Sequence, residues 1–159
     1  MKGDRKKSQA GFSLLEVLIS IGILAVTATI LMSTFGSFRA ANDLTEARSN
    51  VLGLLKDARG KTLSSENKSN YGVHFQNDRA VLFKGNSYNP SATDNDIYLL
   101  PPSIEISAVS LTNGAVDTVF TRLLGTTTAY GTITMRSLRN SSTKTITILP
   151  SGNISSKEP

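Results

Sequence analysis

An uncharged run of 22 residues, Val17 to Phe38, constrains this 159-residue chain more than any other feature of its sequence. A bilayer core about 30 Å thick needs about 20 residues of helix to cross it. Hydrocarbon offers no hydrogen-bond partners to backbone N–H and C=O groups, and a helix pairs these groups with one another. The run therefore predicts one membrane-spanning helix near the N-terminus.

Basic residues precede this run and predict its orientation. The first eleven residues hold +3 of the formal charge of +5, from four cations and one acid: Lys2, Arg5, Lys6, Lys7 and Asp4. The positive-inside rule places them in the cytoplasm and everything after Arg39 on the far side of the membrane. If this leader is removed, most of the basic character goes with it, so the net charge is a weak argument for a DNA-binding surface.

Two other interpretations of the segment stay open. An ordinary signal peptide has an apolar core of roughly 7–15 residues followed by a small-residue cleavage site. Here the apolar run is longer, and the candidate small residues between Ala25 and Ala28 lie inside it. The other interpretation is an uncleaved signal anchor that carries a β domain of unknown binding function, and it gives Glu16 no role.

Glu16 stands near the start of this otherwise apolar segment. An acidic residue at the centre of a membrane helix costs roughly 2.5–3.5 kcal/mol on insertion scales, and less near an interface. The carboxylate is therefore either solvated at the level of the lipid headgroups or held for a cationic partner.

The segment Gly11-Phe12-Ser13-Leu14-Leu15-Glu16, between a basic leader and an apolar run, resembles the prepilin signal of type IV pilin-like proteins. The resemblance implies cleavage between Gly11 and Phe12 by a prepilin peptidase, followed by N-methylation of Phe12. It also implies that Glu16 acts in assembly by pairing with the Phe12 amine of a neighbouring subunit. Such a protein is a structural subunit and not an enzyme.

The same resemblance implies a location and a set of partners. The subunit is expected in the bacterial cytoplasmic membrane as a single-pass protein, with its head on the extracytoplasmic side, and in a pilus or pseudopilus after assembly. The implied partners are the prepilin peptidase, other pilin or pseudopilin subunits, the inner-membrane assembly platform and membrane lipid. No cofactor is implied.

The helix is expected to continue past the membrane over residues 39–60, with Gly60 as its stop. Its apolar residues recur every three or four positions and form one stripe: Leu44, Ala47, Val51, Leu54, Leu55 and Ala58. This spacing is typical of an amphipathic helix that covers a sheet. We therefore expect a cleaved leader at 1–11, a transmembrane and assembly helix at 12–38, and a β-rich globular head at 61–159.

Short alternating segments in the head predict a mostly antiparallel sheet packed on the amphipathic helix, which is an α+β fold. The predicted strands are Tyr71–Phe75, Ala80–Phe83, Ile97–Leu100, Ile104–Ser107, Val119–Leu123, Gly131–Arg136, Thr145–Leu149 and a short strand from Ile154. The polar stretches 62–70 and 85–96 are interpreted as connections.

Parts of this layout resemble the GspH/FimT-like minor pseudopilins. The similar segments in the helix are Asn50-Val51-Leu52 and Ala58-Arg59. Those in the closing run are Val119-Phe120, Gly131-Thr132-Ile133-Thr134-Met135, Ile146-Thr147-Ile148 and Gly152-Asn153-Ile154. This resemblance implies a minor subunit of a type II secretion pseudopilus or a type IV pilus.

The sequence offers little that could support catalysis or metal binding. It has no cysteine, and its single histidine, His74, alternates with Val73 and Phe75 as a strand residue does. Asp94-Asn95-Asp96 is rich in oxygen but lacks the glycine and the terminal glutamate of an EF-hand loop. We expect neither a metal site nor an enzyme.

A weak basic patch keeps a second function open, that of a competence-type pilin that binds DNA. The residues concerned are Arg122, Arg136, Arg139 and Lys144, with Tyr71 and Tyr130 as candidates for stacking on bases. An ordinary solvated surface is the favoured interpretation, so nucleic acid is not expected as a partner.

Overall fold

The computed structural model describes residues 12–157, which form one α-helix, two short 3-10 turns and eight strands. Helix α1 covers Leu14–Leu63. The strands follow in chain order as β1 (Tyr71–Phe75), β2 (Arg79–Lys84), β3 (Asp96–Leu99), β4 (Ile104–Leu111), β5 (Asp117–Phe120), β6 (Gly131–Ser137), β7 (Thr143–Ile148) and β8 (Ile154–Lys157). The chain divides into two compact units, one ending at Gly36 and the other beginning at Ser37.

The strands form two antiparallel sheets of four strands each, which confirms the predicted α+β class. The first sheet has the order β3-β2-β1-β5 and the second has the order β4-β6-β7-β8. Strands β1 and β2 are a hairpin in which Tyr71 lies opposite Lys84 and Phe75 lies opposite Ala80. In the second sheet, β4 carries a register shift between Ile106 and Ala108 that lets it run four residues beyond its predicted end.

The core of the head lies between residues 40–63 of α1 and the two sheets. Five of the six residues of the predicted apolar stripe are confirmed as core: Leu44, Ala47, Val51, Leu55 and Ala58 are all at most 1% exposed. The sixth, Leu54, lies at the edge of the stripe and is only partly buried. The sheet residues in the same cluster include Val73, Leu82, Phe120, Ile133, Met135, Ile146 and Ile148. Burying one such leucine or valine side chain contributes roughly 1.5–3 kcal/mol, so this stripe fixes the helix on the sheets.

The outer face of the first sheet is also covered, by the polar stretch after β2. The ring of Tyr88 stacks on the imidazole of His74 at 4.0 Å between centroids and tilts against Phe83 at 5.8 Å. A Cβ on Gly72 would lie 2.8 Å from Cζ of Phe83 and 2.6 Å from the Thr118 carbonyl oxygen. The ring of Phe83 can therefore occupy this position only because residue 72 has no side chain.

The predicted helix end at Gly60 is wrong by three residues, because tertiary contacts hold one further turn. Thr62 is fully buried. Its hydroxyl donates to the Ala58 carbonyl at 2.7 Å and accepts the backbone N–H of Tyr71 at 3.1 Å. The Thr62 carbonyl also accepts the N–H of Leu123 at 3.1 Å.

The predicted strand Val119–Leu123 is also wrong at its end, because the chain turns after Phe120. The carbonyl of Thr121 accepts the N–H of Gly125 at 2.7 Å, and Leu123 adopts a left-handed φ of 65°. The alternating residue pattern of Val119–Leu123 predicts a longer strand, but this turn directs the chain back toward the end of α1.

Candidate functional site

The candidate site is the beginning of α1, where the sequence places Phe12 and Glu16. Phe12 precedes the helix and is 81% exposed, and Glu16 lies exposed in the first helical turn. Gly11 and the rest of the predicted leader, residues 1–11, lie outside the described residues. The structure therefore shows one side of the predicted cleavage bond and not the other.

Ser13 caps the helix that carries Glu16. Its hydroxyl oxygen accepts the backbone N–H of Glu16 at 3.2 Å. Serine followed three positions later by glutamate is the spacing of a capping box, in which the first residue satisfies an unpaired N–H of the first turn. Reasoning from the sequence missed this role, although the pattern Ser13-Leu14-Leu15-Glu16 could have revealed it.

We expect Ser13→Ala to fray the first turn of α1. Alanine offers no acceptor to the Glu16 N–H, and loss of an N-cap costs about 1 kcal/mol of helix stability. NMR amide exchange of the full chain in micelles should show faster exchange at residues 14–16. Ser20→Ala is the matched control because the Ser20 hydroxyl donates to the Glu16 carbonyl at 2.7 Å and caps nothing. Equal exchange rates in the two variants would contradict a capping role.

The stretch after the cap has the length and composition to cross a membrane. Leu14–Met32 has a mean hydropathy of 2.4, and none of it is buried within the protein. Its few hydroxyl groups bond to the helix's own carbonyls: Thr27 to Ile23 at 3.0 Å and Thr29 to Val26 at 2.7 Å. These side chains therefore present satisfied hydroxyls, which hydrocarbon tolerates better than free ones.

One short segment holds the Ser13 cap, the Glu16 carboxylate in the first helical turn and the exposed apolar helix. A family model matches this same segment. The chain carries the prokaryotic N-terminal methylation motif. The match covers residues 6–32, so it includes Gly11, Phe12 and Glu16. This motif is the type IV prepilin signature, which confirms the predicted resemblance.

The prepilin motif supports a type IV pilin-like subunit that a prepilin peptidase processes and that assembles with other pilins. Within residues 12–157 one helix is long and apolar enough to cross a membrane, and it lies near the N-terminus; together with the motif, this fits a pilin anchored in the inner membrane. The motif points to a structural subunit. The match stops at residue 32 and does not extend to the head, and neither the curated proteins nor the solved structures contain a significant match to the chain.

The other sequence candidates all belong to the compact unit that begins at Ser37. His74 lies in β1, where it contacts Asp117 and stacks on Tyr88. Asp94 lies in the turn before β3 and Asp96 is its first residue, and within residues 12–157 no three histidine or acidic side chains are grouped as metal ligands would be.

The predicted basic patch is divided between the two sheets. Arg122 follows β5, and its guanidinium donates to the Lys68 carbonyl at 3.0 Å. Arg136 lies on β6 and donates to Glu105 at 2.9 Å, a pairing that holds the pKa of the Glu105 carboxyl below its usual range. Tyr71, a candidate for stacking on bases under the DNA-binding alternative, is 4% exposed, and its hydroxyl accepts from Asn67, so its ring is not available to a base. Arg139 lies in the β6–β7 turn, and Lys144 lies on β7 opposite Met135, whereas Arg136 lies opposite Thr143.

Proposed function

We propose that this protein is a minor pilin or pseudopilin subunit of a type II secretion pseudopilus or a type IV pilus, of the GspH/FimT-like kind. A prepilin peptidase removes residues 1–11 at the cytoplasmic face and methylates the new N-terminus at Phe12. The apolar helix stays in the cytoplasmic membrane until assembly, and the head lies on the extracytoplasmic side. The protein is not an enzyme and needs no cofactor.

One observation carries this proposal: the methylation motif at residues 6–32 coincides with a capped apolar helix whose only charged residue between Leu14 and Phe38 is Glu16. An ordinary signal peptide is removed together with its apolar core. A prepilin keeps that core, and the surface of Leu14–Met32 is suited to packing first in lipid and then against other helices.

The helix start also supports the proposed role of Glu16. Cleavage before Phe12 creates an α-amino cation only four residues from this carboxylate. Within one chain, both groups lie at the exposed beginning of α1. Between two subunits packed side by side, an ion pair of this kind fixes the axial register, because a buried carboxylate without a partner is strongly destabilising.

We expect the mature protein to begin at methylated Phe12. The full chain would be expressed in membranes together with an active prepilin peptidase, and its N-terminus measured by intact-mass and peptide mass spectrometry. Gly11→Val should leave the leader attached because the peptidase no longer meets glycine before the bond. Gly3→Val is the matched control, since it changes the other glycine of the leader and should be cut normally.

Two results would overturn the proposal. An intact Met1 terminus, with the peptidase shown to cut a control substrate, would leave a signal-anchored β domain. A cut between Ala25 and Ala28 would make the chain a secreted protein that loses its apolar segment.

A further inference from the structure

Strand β3 forms an open edge of the first sheet. It is the first strand in the order β3-β2-β1-β5 and pairs with β2 through Val81–Ile97 and Arg79–Leu99. An edge strand presents alternate backbone N–H and C=O groups that have no partner in the sheet. In β3 these groups lie beside exposed apolar side chains, since Ile97 is 51% and Leu99 is 61% exposed.

Two other sheet edges are covered in ways that β3 is not. At the β5 edge, Thr118 is fully buried, and its hydroxyl donates to the Ala129 carbonyl at 2.8 Å. At the β4 edge, the backbone N–H of Ile106 donates to the Asn77 carbonyl at 2.9 Å. Strand β3 is short and is followed by prolines after residue 100, and both features limit non-specific pairing with strands of other chains. They leave the middle residues of β3 accessible.

A groove of about 390 Å³ lies between this edge and helix α1. We call it the β3 groove, and its lining is Asn50, Gly53, Leu54, Asp57, Asp96, Ile97 and Tyr98. The Tyr98 hydroxyl accepts from Asn50 Nδ2 at 3.0 Å, which joins the strand side of the groove to the helix side. All of these residues belong to the compact unit that begins at Ser37.

The charged residues of the β3 groove are acidic. Asp57 pairs with Lys61 at 2.9 Å, yet its side chain remains 49% exposed and can accept a further donor. Asp96 is exposed at the start of β3. Glu46 is also exposed and lies two helical turns before Gly53, on the same side of α1. A partner that enters the groove therefore gains from positive charge.

Gly53 leaves the groove open at the surface of α1. A Cβ on Gly53 would meet no described atom within 4 Å. Because residue 53 has no side chain, the backbone of a bound segment can approach the helix closely here, whereas an alanine methyl group would occupy part of that space.

We propose that the β3 groove binds an extended basic segment of a partner protein, which adds to the free edge of β3 as a fifth strand of the first sheet. Backbone pairing supplies the attachment in this mode of recognition, and alternate side chains supply the specificity. Alternating apolar residues contact Ile97 and Leu99, while basic residues reach Asp57 and Asp96. The β3 groove needs no cleavage of the leader to form, so its test is separate from that of processing.

The test uses the full, uncut chain in neutral detergent micelles. The probe is a fluorescein-labelled peptide of eight residues that alternates lysine with valine, and binding is measured by fluorescence anisotropy. One comparison peptide replaces lysine with glutamate, and a second carries N-methyl groups on alternate backbone amides. Amide hydrogen exchange at residues 96–99 reports whether the peptide pairs with β3.

We expect the Lys-Val peptide to bind and to slow exchange at residues 96–99. The Glu-Val and N-methylated peptides should bind at least roughly tenfold more weakly than the Lys-Val peptide. The first loses charge complementarity, and the second loses backbone donors. The double variant Asp57→Asn, Asp96→Asn should weaken Lys-Val binding by roughly five- to tenfold. Both variant residues are on the surface, so the melting temperature should barely change.

Gly53→Ala gives the sharpest result because its two effects have opposite signs. It should raise the melting temperature by roughly 2–4 °C through helix propensity, and it should weaken peptide binding at least about threefold by filling the groove. Gly60→Ala is the matched control: it lies in the same helix two turns further along, also has open space around its Cβ position, and is not part of the groove lining. It should raise the melting temperature and leave peptide binding unchanged.

Four outcomes would overturn the proposal. Three of them are equal affinity for the Lys-Val and Glu-Val peptides, unchanged exchange at residues 96–99 on binding, and equal effects of Gly53→Ala and Gly60→Ala on peptide binding. Self-association of the chain that is lost in Gly53→Ala would assign the groove to a second copy and overturn the proposed partner.

Discussion

Gly152→Ala should destabilise the head more than any other glycine-to-alanine substitution in it. Gly152 lies in the β7–β8 turn with a φ of 75°, and an added Cβ would lie 1.7 Å from the Gly125 carbonyl oxygen. That oxygen belongs to the backbone of another turn, so no rotation of a side chain relieves the overlap. We expect a loss of about 3 kcal/mol or more in the free energy of unfolding.

The overlap matters because three segments meet at Gly152. Its N–H closes the turn on the Leu149 carbonyl at 2.8 Å. The Gly125 carbonyl accepts Nε of Arg59 from α1 at 3.3 Å, and the N–H of Thr127 donates to Pro150 at 3.1 Å. Moving either turn to admit the methyl group would therefore break the contacts that join the helix end to the second sheet.

Gly114→Ala separates the two causes of this loss. Gly114 also has a positive φ, 66°, but a Cβ there would meet no described atom within 4 Å. It should lose only about 1–2 kcal/mol for the left-handed backbone. Urea unfolding of the full chain in micelles, followed by near-ultraviolet circular dichroism of the tyrosines, compares the variants. Equal losses for Gly114→Ala and Gly152→Ala would show that the close approach to Gly125 does not matter.

Local patterns were sufficient to predict the elements that depend on nearby residues. Hairpin β1–β2 is joined by a polar turn between two alternating segments, and both strands were predicted to within one residue at each end. The helical stripe from Leu44 to Ala58 was predicted because apolar spacing of three and four admits only one buried face. The prepilin motif was identifiable because all its parts are contiguous in sequence.

Contacts between distant residues could not be predicted in the same way. Nothing in the spacing of β1 and β5 shows that Gly72 lies opposite Val119, or that the strands divide into two sheets. The last turn of α1 depends on Thr62 bonding to Tyr71, nine residues away. The β3 groove likewise needs Asp57 and Asp96 brought together by folding.

Glu16→Gln should leave processing intact and prevent stable incorporation of the subunit into its filament. Glutamine keeps the size of the side chain and removes its charge, so the first turn and the bond to Ser13 should persist. What is lost is the proposed pairing with the Phe12 amine of a neighbour. A hydrogen bond that involves a charged group contributes roughly 1.5–3 kcal/mol, which corresponds to a roughly 10- to 100-fold lower incorporation.

The experiment measures two quantities on the same sample. Mass spectrometry gives the mature N-terminus, and affinity purification of tagged neighbouring pilins from membranes gives the amount of the variant that co-assembles. Glu66→Gln is the matched control, because it removes an exposed carboxylate from the 3-10 turn after α1 and should assemble normally. Glu16→Asp keeps the charge on a shorter side chain and should retain part of the incorporation.

The result distinguishes the two interpretations of a carboxylate at this depth. If Glu16→Gln is cut at Phe12 but absent from the purified assembly, the charge acts between subunits, where a low dielectric strengthens its attraction to the amine. If the variant co-assembles as well as the unmodified chain, Glu16 is a solvated group at the headgroup level. Register would then depend on packing of the apolar surface of Leu14–Met32 alone, and the carboxylate would have no part in choosing the neighbour.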